Sequence, residues 1–231
     1  ATESTVARVC DLAPERLERI KSRYPWIETS TVTEDVIRAP DVDAVVIATP
    51  VSTHFDLAMM ALREGKHVLI EKPMAENSAQ CSKLIETAEA NRLTLLVDHT
   101  FVYTAAVQKI RDLITEGELG ELYYYDSVRV NLGLFQHDVS VVWDLAVHDI
   151  AIMDFLLQKQ PEAISATGIS HVVGQPDNVA YVTFFFPDSL IAHVHVNWLA
   201  PAKIRQTLIG GSKRMVVYDS LQPAEPIRVY D

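Results

Sequence analysis

The chain has 231 residues, 48% of them apolar and 22% charged, the balance of a globular protein rather than a disordered one. Twenty Lys and Arg stand against 31 Asp and Glu, a net charge of −11. That charge excludes a broad surface for nucleic acid or anionic lipid, where clustered positive charge supplies most of the binding. Two cysteines, Cys10 and Cys81, make no disulfide framework. No apolar run reaches the roughly 18 residues of a membrane span, and no signal-peptide core opens the chain. The expectation is a cytoplasmic protein with neither membrane nor nucleic acid as partner.

Residues 6–10 read as a short strand ending at Asp11. Pro14 suits a first helical turn, and Leu17, Ile20 and Tyr24 recur at helical spacing before Pro25. Residues 43–49 form a strong buried strand. Thr53 is placed to cap the next helix, whose Phe55, Ala58, Met59 and Leu62 make one apolar stripe up to Gly65. Residues 66–71 are a strand, a helix starts near Ser78 with Cys81, Leu84, Ile85 and Ala88 as its stripe, and residues 93–98 are a further strand. Strands alternating with helices predict right-handed βαβ units and a mostly parallel sheet.

The pattern then changes. Val107, Ile110 and Ile114 mark a helix stopped by Gly117, and residues 121–130 read as a strand. Residues 143–157 are a helix apolar almost all round, which predicts burial. Strand-like runs follow at 164–173, 179–186, 190–198, 204–209 and 215–218. Turn signals separate them, among them Gln175-Pro176-Asp177, Pro187-Asp188 and Gly210-Gly211. Consecutive strands without helices between them predict an antiparallel sheet. The reading is two domains, residues 1–98 and 99–231, the first α/β and the second α+β.

Ligands of parallel α/β sheets bind at the carboxyl ends of the strands. Asp11 ends the first strand, where a carboxylate can accept from a ribose diol or simply hold a turn. Thr49-Pro50 ends the second, with Ser52, Thr53 and His54 entering the helix. Glu71-Lys72-Pro73 ends the third, and proline pushes Lys72 towards extended geometry, so its side chain is either at the sheet's edge or on the surface. Asp144 and His148 lie four apart on one face of the apolar helix. Burying both is costly unless they pair or line a cavity. They suit carboxylate-oriented general-base chemistry, or a structural Asp–His bond. Asp149 and Asp154 project elsewhere and read as caps or interface groups. His193 and His195 alternate on one strand, a metal pair or a polar sheet face, and the expected metal content is none. Arg129 and Asn131 are substrate ligands or solvated.

Three stretches together carry a resemblance: Ala48-Thr-Pro-Val-Ser-Thr-His54, Ala61-Leu-Arg-Glu-Gly-Lys-His-Val-Leu-Ile-Glu-Lys-Pro73 and Trp143-Asp-Leu-Ala-Val-His-Asp149. In order and spacing the chain resembles the glucose–fructose oxidoreductase/inositol dehydrogenase (Gfo/Idh/MocA) family over essentially its whole length. The resemblance implies a Rossmann-type parallel-sheet domain that binds a nicotinamide, then an α+β domain with an open antiparallel sheet. It implies Lys72, Asp144 and His148 as catalytic residues. Asp11, Thr49, Pro50, Thr53, His54, Glu71 and Lys72 are implied on the cofactor side, and Lys72, Tyr103, Arg129, Asn131, Trp143 and His148 on the substrate side. Residues 123–144, with Asn131-Leu-Gly-Leu-Phe135, are similar to bacterial members that oxidise sugars or nucleotide sugars for surface polysaccharides. The family begins with a strand, a Gly-x-Gly-x-x-Gly turn and a helix, and the eight glycines of this chain form no such motif. The expectation is an internal fragment of a longer enzyme.

The implied function is oxidation of a secondary hydroxyl of a sugar, nucleotide sugar or cyclitol, with NAD, or else NADP, as hydride acceptor. The alternative is a non-catalytic binding or assembly module of the same fold, and a weaker one is a metal-dependent hydrolase using His148, His193 and His195. Apolar residues on both faces of the second-domain strands, Tyr181 and Phe184 to Phe186 on one and Ile191, Val194, Val196 and Trp198 on the next, predict a homo-oligomer, dimer or tetramer, assembled through that sheet.

Overall fold

The computed structural model describes residues 4–132 and 139–231. The chain divides into two units, Ala1–Asp98 and His99–Asp231. The first unit runs β1 (Arg8–Cys10), α1 (Pro14–Arg23), β2 (Glu28–Ser30), α2 (Thr33–Ile37), β3 (Ala44–Ile47), α3 (Val51–Arg63), β4 (His67–Ile70), α4 (Ser78–Ala90) and β5 (Leu95–Val97). Its ladders are all parallel, β1 with β2 and β3 with β4 with β5.

Local chemistry explains the helices. Pro14 opens α1, Glu15 lies in its first turn, and Lys21 and Arg23 lie in its last, each complementing the helix dipole. The Asn77 side chain caps α4 by accepting from the Gln80 amide at 3.0 Å. The stripe of α3, Ala58, Met59, Ala61 and Leu62, is buried in one core with Ile47, Val68 and Ile70 of the strands. Thr53 is not the cap expected of it. The helix already starts at Val51 with Pro50 at the N-cap position, and the Thr53 hydroxyl donates to the Pro50 carbonyl at 2.7 Å. Sequence reading passed over β2 and α2, because three and five residues are too short to display a period.

The second unit contains α5 (Ala105–Thr115), β6 (Leu122–Leu132), a π-helical turn at Val142–Ala146 that runs into α6 (Val147–Leu157), β7 (Ala163–Ile169), β8 (Val179–Phe185), β9 (Ile191–Asn197), β10 (Leu199–Gly211), β11 (Met215–Asp219) and β12 (Ile227–Tyr230). The strands form one seven-stranded sheet in the order β12-β11-β10-β6-β9-β8-β7. Every ladder is antiparallel except β6 with β9. The sheet is mostly antiparallel, as expected, with one parallel pair at its centre. The chain leaves β6, crosses over through α6 and returns by the β7–β8 hairpin before β9 pairs with β6. Which strands become neighbours is a tertiary outcome that strand patterning does not encode.

The apolar character of α6 buries Ile152, Met153, Leu156 and Leu157 against the sheet. Residues Ala180, Val182 and Phe184 of β8 and Ala192, Val194 and Val196 of β9 face that core. The alternate residues Tyr181, Phe185 and Ile191 lie on the opposite face, 44%, 43% and 42% exposed. Of the apolar residues predicted for two faces, Phe184, Phe186, Val194, Val196 and Trp198 are thus core, and Tyr181, Phe185 and Ile191 are open-face. Among the described residues no helix is long and apolar enough to cross a membrane.

Candidate active site

In the first unit the polar residues gather at the carboxyl ends of β1, β3 and β4. Asp11 forms a tight turn into α1, its Oδ1 accepting from the Ala13 amide at 2.9 Å and its Oδ2 from Arg16 Nη1 at 3.2 Å. The Ala13 amide, and then the exposed Arg16 guanidinium, hold the Asp11 carboxyl below its usual range. It is therefore a carboxylate at neutral pH and a continuing acceptor. Thr49 and Thr53 share a hydroxyl–hydroxyl bond at 2.7 Å on the exposed turn around Pro50.

His54 is 1% exposed, with Nε2 at 2.8 Å from the Thr49 carbonyl and Nδ1 at 2.9 Å from the Pro73 carbonyl. A neutral imidazole donates to one of these and an imidazolium to both. Either way His54 ties the turn after β3 to the turn after β4 and spends its nitrogens on the scaffold. Glu71 follows β4, and its Oε2 accepts from the Lys72 amide at 3.2 Å. The Lys72–Pro73 peptide is cis. Lys72 is half-buried at this strand end, between the Glu71 carboxylate and the His54-held Pro73.

In the second unit Asp144 lies in the π-helical turn and His148 one turn later, at the start of α6. Single π turns inside helices recur at functional sites. The Asp144 Oδ2 accepts from the Trp198 indole at 3.1 Å, and Trp198 is only 1% exposed. Sequence reading took Trp198 as an apolar strand residue. The available signal was that a buried indole N–H requires an acceptor. The His148 ring meets Phe101 edge-on at 5.1 Å between centroids. Phe101 stands in the 3₁₀ turn Thr100–Tyr103, where Tyr103 is 67% exposed. Trp143 in the π turn and Asn131 near the end of β6 are half-buried. Residues 133–138 of the predicted polysaccharide-type run lie outside the described residues.

Asp149 is neither a cap nor an interface group. It is buried, accepting from Arg129 Nε at 2.5 Å, from Arg129 Nη2 at 3.3 Å and from the Ser127 hydroxyl at 2.7 Å. The Tyr125 hydroxyl donates to the Asp149 carbonyl at 3.1 Å. A carboxylate on a helix this apolar goes where a cation waits, and β6 supplies one. Arg129, expected on the substrate side, is 3% exposed and ion-paired with Asp149 through Nε and Nη2, which leaves Nη1 outside the pair.

His193 and His195 lie on the open face of the sheet, the ring of Tyr181 stacking at 5.9 Å and 4.4 Å from theirs. Thr183 Oγ1 is 3.1 Å from His193 Nδ1. Burial, then His193, lowers the His195 pKa. His148 is on the helix side, so the sheet separates it from these two, and the three-histidine hydrolase reading fails on geometry. Among the described residues no group of three or more His, Cys, Asp or Glu could hold a metal ion.

Comparison with known proteins decides the family. Residues 1–99 match an oxidoreductase family with an NAD-binding Rossmann fold, GFO_IDH_MocA, and residues 107–217 match the GFO/IDH/MocA C-terminal domain. The chain belongs to the Gfo/Idh/MocA family. The UDP-N-acetylglucosamine 3-dehydrogenase of Acidithiobacillus ferrooxidans is 33% identical over 59% of this Gfo/Idh/MocA chain and 43% of its own. The NADP-dependent scyllo-inositol 2-dehydrogenase IolW of Bacillus subtilis is 25% identical over 89% of this chain and 56% of its own. The crystal structure of GenD2 from gentamicin A biosynthesis, in complex with NAD, superposes with a TM-score of 0.88 at 21% identity, covering 95% of this chain and 66% of that one. The chain spans about half the length of the relatives it matches, between 43% and 62% for the first three.

Proposed function

We propose that this Gfo/Idh/MocA chain serves an NAD-dependent dehydrogenase that oxidises a secondary hydroxyl of a sugar, nucleotide sugar or cyclitol. The observation that carries the reading is the Asp144–His148 pair at the π turn, with one Asp144 oxygen pinned by the buried Trp198 indole. A carboxylate with a fixed oxygen, one turn before an imidazole, is the arrangement of an oriented general base. His148 takes the hydroxyl proton, and Asp144 sets its tautomer and supports the imidazolium that forms. Lys72 donates to the reacting oxygen and stabilises developing alkoxide charge. The bound nicotinamide supplies the hydride acceptor.

The residues of the first unit fit that cofactor. Asp11 is an ionised acceptor at the carboxyl end of a parallel strand, where a ribose diol is read. Thr49, Pro50 and Thr53 offer an exposed polar turn at the next strand end. The names of the dehydrogenase and reductase relatives support a sugar or cyclitol as substrate. The test is titration of the complete gene product with NAD followed by fluorescence, then sugar-dependent NADH formation across hexoses, nucleotide sugars and inositols. Tight NAD binding without turnover on any of these leaves a binding module, and the dehydrogenase reading fails.

Lys72→Met keeps the stem and removes the charge. Turnover should fall by about 10²-fold or more, the worth of one lost donor to a developing oxyanion. Steady-state kinetics with the preferred sugar checks it, and an unchanged rate returns Lys72 to a surface role.

Asp11→Ser should shift the cofactor preference towards NADP. The substitution removes the repulsion of a 2′-phosphate and frees Arg16, now paired with Asp11 at 3.2 Å, to meet it. The ratio of kcat/KM for the two cofactors is the measurement. A constant ratio leaves Asp11 as a turn residue.

The open face of the second-unit sheet is proposed as a homo-oligomer surface, since Phe185 and Ile191, paired across β8 and β9, and Tyr181 further along β8 expose apolar surface there. Light scattering of the complete protein at micromolar concentration should give a dimer or tetramer. A monomer there excludes the surface as a self-association site.

A further inference from the structure

Arg129 of β6 and Arg205 of β10 are directly paired across the antiparallel ladder, and both side chains lie on the helix-covered face. Their guanidinium carbons stand 4.7 Å and 5.9 Å from the centroid of the Phe101 ring. The edge-on contact of that ring with His148 puts the pair one aromatic ring away from the proposed base. Among the described residues one carboxylate, Asp149, serves both cations, and it is already held by Arg129 through Nε and Nη2. Arg129 Nη1 and Arg205 Nε are buried and have no hydrogen-bond partner among the described residues. The other titratable groups facing the pair are Tyr125 and Tyr218, both raised in pKa chiefly by burial and hence neutral. Thr207 and Ser127 are uncharged.

The balance is two cations to one anion. A buried charge without a counter-ion is costly, and so is a buried donor without an acceptor. Burial and then the facing Arg129 lower the pKa of Arg205, the mark of an uncompensated neighbour. Arg205 is only partly buried, so part of its side chain reaches solvent.

We propose that Arg129 and Arg205 receive the carboxylate of a sugar-acid substrate, a uronate or an aldonate. A single negative charge matches the excess of one positive charge, whereas a phosphate monoester at neutral pH overshoots it. Planar guanidinium donors suit the planar carboxylate. The proposal rests on the dehydrogenase reading for where the sugar lies, because Phe101 then sets the distance between the anchored carboxylate and the hydroxyl presented to His148.

The experiment is isothermal titration calorimetry of the complete protein with D-glucuronate, D-glucose, D-glucose 6-phosphate and acetate as probes, with and without NADH. Glucuronate should bind at least about tenfold tighter than glucose, the expected worth of charge-assisted hydrogen bonds, and tighter than the phosphate monoester. In Arg205→Gln the glucuronate-to-glucose ratio should collapse to within about threefold. Should that variant not fold, Arg205→Lys loses the Nε donor while keeping the charge, and its ratio should also fall. Glucuronate no tighter than glucose, measurable or not, overturns the proposal, as does a ratio that survives in these variants. Acetate binding as tightly as glucuronate reduces the pair to a plain anion site and overturns the sugar-acid assignment, and a preference for glucose 6-phosphate overturns the charge match. Heats of binding require no turnover, so a protein that prefers glucuronate but never reduces NAD refutes the dehydrogenase reading alone.

Discussion

His148→Ala should lower turnover by about 10²–10⁴-fold, the usual worth of a positioned general base. The affinity for NAD should stay within about twofold, because the proposed cofactor contacts lie in the other unit and direct contacts set most of a binding energy. The effect is large because the residue is hard to replace. On the helix that carries it, α6, the neighbours are apolar or, like Asp149, already committed, so no adjacent side chain takes over the proton. The edge-on Phe101 ring and the Trp198-pinned Asp144 restrict the geometry further. Kinetics of the variant with the preferred sugar, beside a cofactor titration, checks both halves. A wild-type-like rate removes the base assignment. Equal losses in rate and in NAD affinity point instead to a distorted protein.

Arg129→Met should cost about 3–5 kcal/mol of stability, the penalty for stranding one member of a buried ion pair. Arg129 and Asp149 are each 3% exposed in their side chains, so water cannot take over the lost partner. The stranded Asp149 would keep the Ser127 hydroxyl as a hydrogen-bond donor and, among the described residues, only the half-buried Arg205 as a nearby cation. Denaturant unfolding measures the loss. The double variant Arg129→Met/Asp149→Leu should recover part of it, since exchanging a buried pair for apolar side chains is often neutral while the half-buried Arg205 then loses its carboxylate. A single variant as stable as the wild type would show the pair to be solvated. Losses that add in the double variant would mean the two side chains act independently.

Much of the fold was legible because period and burial coincide. The stripe of α3 and the apolar circumference of α6 each announce a buried helix, and both are in the cores. The strand-then-helix alternation up to Asp98 announces parallel pairing, and every ladder there is parallel. Asp144 and His148 stand out in the sequence because two polar groups on one apolar face need a reason. Asp149, on the same helix, was misread for want of that reasoning carried one residue further, and the partner that explains it, Arg129, lies 20 residues upstream on β6.

Sequence alone determined most of the longer elements, the polar strand ends and the family resemblance, all of which depend on local period, turn chemistry or short motifs. Only the tertiary structure decided which polar groups meet. It set β9 parallel beside β6, turned His193 and His195 away from His148, spent His54 on two carbonyls and brought Trp198 to Asp144. It also placed two arginines opposite each other with one carboxylate between them. The physical reason is range. Periodicity is written within about ten residues, whereas the partner of a buried charge or donor is chosen by whatever the sheet register brings alongside it.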